Sequence, residues 1–402
     1  MSSEPASRGG DLRVCHLGKY YPPSSGGIES HVRTLALAQA GLGMAVEVLC
    51  VNHEPGPTVI DRDGEVTVTR LGRAHRVSKL DVCPELVPAL RRIEADILHL
   101  HVPNPTMILG LVRARPTTPL VVTYHSDVIR QRVLNLAFRP FERIVYRRVR
   151  AVLPTSPGYA EGSRFLQSYG DRIRVLPHGI DLEEYLDPSA SDRDEADQIR
   201  ARYAGPLWLG CGRLVYYKGF VNAIRALTRV SGTLLLVGEG PERAALEAQA
   251  EQLGVRGRVV FAGKVPRLAP YYLAADAFWF PSNERSEAFG LVQVEAMASG
   301  CPVINTAIPH SGVAWVSRHE REGLTVAVDD PVALAEAANR IATEQGLRDR
   351  LSAASRIRAR DEFDHRVMAS RSLEVYRQVL AGATEGLATG RPVLASEPRG
   401  GG

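Results

Sequence analysis

The sequence predicts an α/β protein built from two parallel sheets with helices on both faces, and two observations carry that prediction. Short apolar runs of strand length alternate with stretches of helical period along nearly the whole chain. The alternation is interrupted by one polar, acid-rich segment near the middle and then restarts. A length of 402 residues suits two domains of ordinary size, so two cores are expected.

The first series holds candidate strands at 12–18, 45–51, 66–72, 96–102, 119–126, 151–156 and 173–177. Helical patterns separate most of them. The stretch 181–204, opening with DLEEYLDPSASDRDEAD, reads as the interdomain region. Strand-like runs return at 207–215, 233–240, 258–264, 277–283, 302–307 and 323–328, a second Rossmann-like unit. Domains are therefore expected at 11–180 and 205–360. A helix at 361–382 belongs to no βαβ repeat and is expected to cross back to the first domain. The ends, 1–10 and 383–402, are rich in Gly, Ser and Pro and read as loose tails, because they have too little apolar surface to offset the entropy of ordering. Ligands of open parallel sheets gather at the carboxyl ends of strands, which puts the expected site in a cleft between the two facing sheets.

Composition excludes several function classes. Lys plus Arg number 49 against 45 Asp plus Glu, a net charge of +4 on a chain that is 45% hydrophobic, so bulk charge gives no sign of a nucleic-acid binder. Five widely spaced cysteines with no CxxC pair indicate neither a disulfide framework nor a zinc site. The first ten residues lack a basic segment followed by an apolar one, and no run approaches the ~18 apolar residues needed to cross a bilayer. A cytoplasmic location is expected.

Four local patterns carry chemistry. In GRLVYYKGF, Gly212 and Arg213 end a strand while Lys218 opens a helix, and two cations at such a junction can grip a diphosphate; a solvated basic turn accounts for the same residues. In SNERSEAFGLVQVEAMASG, Glu287 precedes a helix starting near Gly290 and Glu295 faces in from its second turn, so the two carboxylates can address different parts of one extended ligand. A capping neighbour and a buried anchor are the plainer reading of that pair. In PPSSGGIESHV, Gly26 and Gly27 bare the backbone where a phosphate or sugar could approach, or simply make a turn. In TYHSD, His125 ends a strand, as a cleft residue or a core histidine.

Together GRLVYYKG, the E-x7-E of SEAFGLVQVE, GGIE after the first strand and LPHGID resemble glycosyltransferase family 4, the retaining nucleotide-sugar enzymes of GT-B fold. The resemblance runs from about residue 12 to 382. The stretches RSEAFGLVQVEAMASGCPVINT and SGVAWVSRHEREGLTV look most like bacterial mannosyl- and rhamnosyltransferases of surface-polysaccharide assembly. It implies that Arg213 and Lys218 bind the donor diphosphate, with Gly27 approaching from the other domain. Glu295 would accept from the ribose hydroxyls and Glu287 would contact the sugar. Backbone N–H groups of Phe289, Gly290 and Leu291 would turn toward the donor, His125 would sit beside the transferred sugar, and Lys264 with Val265 would border the base.

The implied chemistry needs no cofactor and no metal, since the two cations can stabilise the departing diphosphate as a metal would. Of the two DxD triplets, Asp61-Arg62-Asp63 reads as a hairpin turn and Asp192-Arg193-Asp194 as part of the acidic linker. The partners implied are a nucleotide-sugar, first a GDP-linked mannose or rhamnose and otherwise a UDP-sugar, and a growing, lipid-linked saccharide. Seven arginines between Arg130 and Arg150, interleaved with Leu134, Phe138, Phe141 and Ile144, suit an anionic membrane surface at the inner face of the plasma membrane, or a solvated helix covering its sheet. Rival functions are a non-hydrolysing sugar-nucleotide epimerase and a silent sugar-nucleotide binder. LGKYYPPSSGG is not the GxGxxG fingerprint of a dinucleotide enzyme.

Overall fold

The computed structural model describes residues 12–24, 26–77, 80–125 and 132–384, and the chain divides into two units. The first contains the chain up to Gly179 together with the segment from His365 onward; the second is Ile180–Asp364. The terminal segments read as tails lie outside the described residues, apart from the last helical turn up to Thr384.

The strands of the first unit are β1 (Arg13–Leu17), β2 (Ala45–Pro55), β3 (Val59–Asp63), β4 (Val66–Arg73), β5 (His75–Val77), β6 (Leu80–Val82), β7 (Ile97–Val102), β8 (Leu120–Tyr124) and β9 (Val149–Pro154). Seven of them form one sheet in the order β3-β4-β2-β1-β7-β8-β9, parallel throughout except for the β3–β4 hairpin, and β5 pairs with β6 apart from it. The central strand β7 is buried along its whole length, all of Ile97–Val102 being enclosed. The helix Gly27–Gly41 lays Val32, Leu35 and Ala36 on this sheet, beside Met368, Leu373 and Tyr376 of the helix His365–Thr384. Burying each such side chain contributes about 1.5–3 kcal/mol, which is what holds the returning helix on the first unit.

The second unit contains β10 (Leu207–Cys211), β11 (Thr233–Val237), β12 (Val259–Gly263), β13 (Ala277–Phe280), β14 (Val303–Thr306) and β15 (Gly323–Val326). They form a sheet in the order β12-β11-β10-β13-β14-β15, every neighbour parallel. Alternate residues feed two cores. Trp208 and Trp279 stack at 5.2 Å on one face, while Leu209, Phe278 and Phe280 pack on the other.

Three sequence expectations are corrected. The stretch 181–204 is packed structure of the second unit and not an interdomain connector, and the division falls at Gly179/Ile180. Beneath its acidic exterior, Leu182 and Tyr185 at the short helix Glu183–Leu186 and Ala196 and Ile199 on the helix Ala190–Ala201 enter the core, and Ser189 with Asp192 closes a capping box on the latter. The crossover helix starts at His365 and not at 361, because Asp361–Phe363 finish the helix Gln345–Phe363, whose Phe363 is buried in the second unit. The run 173–177 forms no strand; Ile173 makes one bridge to Val152, and Arg174 and Leu176 donate to β9 carbonyls.

Candidate functional site

In the second unit, the ends of β10 and β13 bring the charged motif residues together. A single 3-10 turn, Tyr216–Lys218, follows β10, and the Asn283 N–H donates to the Tyr217 carbonyl at 2.9 Å, stitching the two loops. Gly219 adopts φ +66°, and a Cβ there would stand 1.9 Å from the Pro281 carbonyl oxygen, so only glycine permits this approach. The consequence is an ion pair: Lys218 Nζ lies 2.6 Å from Glu287 Oε2, with both side chains close to 90% buried (11% and 12% exposed). Lys218 also stands 4.9 Å from the Phe280 ring centroid, a cation–π contact beneath the pair. Arg213 is exposed and its side chain has no ion pair or hydrogen bond among the described residues.

Glu295 lies on the helix Leu291–Ala298, one turn in from Gly290. The Tyr272 hydroxyl sits 3.0 Å from its carboxylate, and burial pushes Glu295 up to about 7, against the pull of the nearby Lys218 charge. Gly290 is the second glycine with a steric reason: its φ is +77°, and a Cβ would meet the Phe280 ring at 2.6 Å. The N–H groups that open this helix have no intrahelical partner, so Gly290 and Leu291 present donors at the same end of the sheet. The Phe289 side chain is buried, packed edge-on against Phe363 at 5.6 Å. Lys264 is exposed just past the end of β12, and Val265 packs against the core.

The first unit gathers histidines at the corresponding strand ends. His16 of β1 is in register with His99 of β7, and His101 with Thr123 of β8. His16, His31, His99, His101 and His125 are all buried, and His178 is partly buried beside them. His125 Nε2 is 3.2 Å from His101 Nδ1, and its ring stacks on His178 at 5.3 Å. Burial, and for His31, His99, His101 and His125 also the neighbouring imidazoles, lowers these groups, to about 4 for His16 and His178 and well below the ordinary value for the rest, so they are neutral at pH 7. Gly26 caps the helix Gly27–Gly41 with the Glu29 carboxylate folded against it, whereas a Cβ on Gly27 would meet nothing within 4 Å.

The structure thus joins Lys218 and Glu287 directly and sets Glu295 within reach of the same charge, while Arg213 and Lys264 stand apart with exposed side chains. Sequence reasoning missed Tyr272 and Phe280, whose roles depend on contacts across the core, and five of the six histidines. A signal for those existed: HLH in β7 places two histidines on one face at period two, next to HL in β1. Both DxD triplets serve the scaffold. Asp63 pairs with Arg33 and Tyr21 beside the β3–β4 turn, Asp61 pairs with Arg70, and Asp192 is the capping residue described above.

The arginine-rich stretch forms the helix Arg132–Tyr146 and its continuation into β9. Arg139, Arg143, Arg147, Arg148 and Arg150 are exposed, as are Phe141 and Ile144, while Val145 and Tyr146 are buried. Arg130 lies outside the described residues. No helix among the described residues is long and apolar enough to cross a membrane.

Two family models match the chain, Glycosyltransferase Family 4 over residues 25–184 and Glycosyl transferases group 1 over 192–358. The D-rhamnosyltransferase WbpZ of Pseudomonas aeruginosa is 33% identical over 81% of this chain and 85% of its own. The O-antigen chain mannosyltransferase C of Escherichia coli is 29% identical over 89% of this chain and 96% of its own. Among solved structures, the sucrose-phosphate synthase of Thermosynechococcus elongatus superposes with a TM-score of 0.75 at 25% identity, covering 92% of this chain and all of that one.

Proposed function

The chain belongs to the family 4 glycosyltransferases of GT-B fold, and from that premise we propose that it transfers mannose or rhamnose from a GDP-sugar to a growing, lipid-linked saccharide of a bacterial surface polysaccharide. The observation that carries the reading is the largely buried Lys218–Glu287 pair with the exposed Arg213 five residues before it, whose side chain has no partner among the described residues. Breaking a sugar–phosphate bond adds negative charge to a diphosphate, and a preorganised ammonium plus an exposed guanidinium neutralise that charge without a metal ion. As Lys218 turns to the diphosphate, Glu287 is left to accept from a sugar hydroxyl. Glu295, held by Tyr272, accepts from the ribose hydroxyls once ionised. Gly27 and His125 of the first unit serve the diphosphate and the transferred sugar respectively.

In this reading the anomeric configuration is retained by attack on the face from which the diphosphate leaves, with a donor phosphate oxygen taking the acceptor proton, and no protein nucleophile is needed. The names of the relatives support the sugar and the polysaccharide. The exposed Arg139, Arg143 and Arg147 with Phe141 and Ile144 support docking on the anionic cytoplasmic leaflet, each cation contributing about 1 kcal/mol near such a surface. The test is a donor panel in EDTA: GDP-mannose, GDP-rhamnose and UDP-sugars, read by thermal shift, product formation and anomer analysis. A saturating GDP-sugar stabilises the protein by about 2.7 kcal/mol at 100 times its Kd and yields a retained product. Turnover only with UDP-sugars, an inverted anomer or a strict Mg²⁺ requirement each removes the corresponding part.

A further inference from the structure

One order of protons satisfies every hydrogen bond beneath His125, and it starts in the helix His365–Thr384. Ser372 Oγ donates its single proton to the Ala369 carbonyl at 2.7 Å, so toward Gln39 it can only accept. The Gln39 amide therefore turns its Nε2 to Ser372 at 2.8 Å and to the Tyr376 hydroxyl at 3.0 Å, and its Oε1 to His16 Nε2 at 2.7 Å. An amide oxygen accepts only, so His16 carries its proton on Nε2 and its lone pair on Nδ1. His16 Nδ1 faces His101 Nε2 at 3.0 Å, which must donate, and His101 Nδ1 then accepts from His125 Nε2 at 3.2 Å. A side branch agrees. Tyr376, having accepted from Gln39, donates to His99 Nδ1 at 2.6 Å, and His99 Nε2 donates to Thr123 Oγ1 at 2.6 Å. Gln39, His16 and His99 are wholly buried and His101 nearly so, so water offers these groups little alternative partnership.

We propose that Gln39 is a positioning residue: through His16 and His101 it holds His125 with its proton on Nε2 and its lone pair on Nδ1, ready to accept a hydrogen bond from a hydroxyl of the sugar substrate. The use made of that lone pair rests on the reading of His125 as the residue beside the transferred sugar; the order of protons does not. Reversing one member sets N–H against N–H or lone pair against lone pair at the next, so the chain changes only as a whole. Among the described residues, Gln39 is the non-histidine partner at the head of the His16–His101–His125 series, so its amide orientation sets the order.

The experiment is two-bond ¹⁵N–¹H correlation of the full chain labelled in histidine, alongside steady-state transfer. Wild type shows Nε2–H for His16, His101 and His125. Gln39→Met, which keeps length and loses both polar atoms, mixes the tautomers of His125 and lowers kcat about tenfold or more, while Gln39→Glu, which again offers His16 an acceptor, restores part of both. If Gln39→Met does not fold, Ser372→Ala removes the group that orients the amide and is expected to mix the same tautomers. An Nδ1–H proton on His125 in wild type overturns the proposal, as do an unchanged tautomer and rate in a folded Gln39→Met. His31, His101 and His125 each offer a ring nitrogen within 4.8 Å of the others, so stoichiometric Zn²⁺ uptake abolished by His31→Gln also overturns it, by making the cluster a metal centre. The Nε2–H pattern in a protein that transfers no sugar upholds the hydrogen-bond order and removes the role given to His125.

Discussion

The two units share a parallel-sheet architecture, yet they hold polar groups at their strand ends in opposite ways. The first does it with neutral imidazoles in contact with one another, the second with an ammonium–carboxylate pair and a carboxyl pushed up to about 7. Burial explains the difference. His16, His99 and His101 are enclosed to a degree at which an uncompensated charge costs several kcal/mol, so only neutral donors and acceptors persist there. Lys218 and Glu287 keep about a tenth of their side-chain surface exposed and compensate each other, so both charges persist there. Polar groups of similar position thus become a rigid hydrogen-bond frame in one unit and a chargeable pair in the other.

The largest effect separating the units is acid sensitivity. His16 and His178 have folded values near 4 against an ordinary 6.5, so the unfolded chain binds their protons first and stability falls as pH drops from about 6.5 to 4. Each contributes on the order of 3 kcal/mol to that loss. Trp208, Trp279 and Trp315 all lie in the second unit, so on acidification the far-UV circular dichroism is expected to fall before tryptophan fluorescence changes. Simultaneous transitions would break the comparison.

Next in size is Lys218→Ala. It leaves Glu287 without its partner and, on the proposed function, the departing diphosphate under-neutralised, so a loss of ~10²-fold in kcat is expected under saturating donor. Full activity would show that the charged pair of the second unit is structural only.

Glu295 supplies an effect opposite in sign to the histidines. Its folded value, raised to about 7 from 4.5, means that its stabilising contribution is complete below about 4.5 and is lost as pH rises through 7. The amount is on the order of 3 kcal/mol, as for each histidine. Glu295→Gln is expected to flatten the tryptophan-monitored melting temperature between pH 5 and 8; an unchanged slope assigns the dependence to another group.

The smallest effect tests the helix Ala190–Ala201 of the second unit. Ser189→Ala removes the capping box with Asp192 and is expected to cost about 1 kcal/mol in denaturant unfolding while transfer stays at the wild-type rate. A large loss of transfer would return the Asp192 triplet to the chemistry.

The sequence by itself determined the class, the two sheets and the motif neighbourhoods. Strands buried on both faces are near-continuous apolar runs, so β1, β7, β10 and β13 are legible without a partner in view. By contrast β3 and β5, largely exposed and polar, carry no such mark, and 181–204 hid a core face under acidic residues. Lys218 and Glu287 were each visible in their motifs, but their ion pair was not, since it depends on Gly219 packing against Pro281. The histidine frame shows in the sequence only as the HLH pair of β7 and the HL of β1, and its assembly was decided by tertiary structure. Its members come from β1, β7, the end of β8 and the segment before Ile180, and parallel register is set by crossover connections and side-chain packing across the sheet, which no local stretch of sequence encodes.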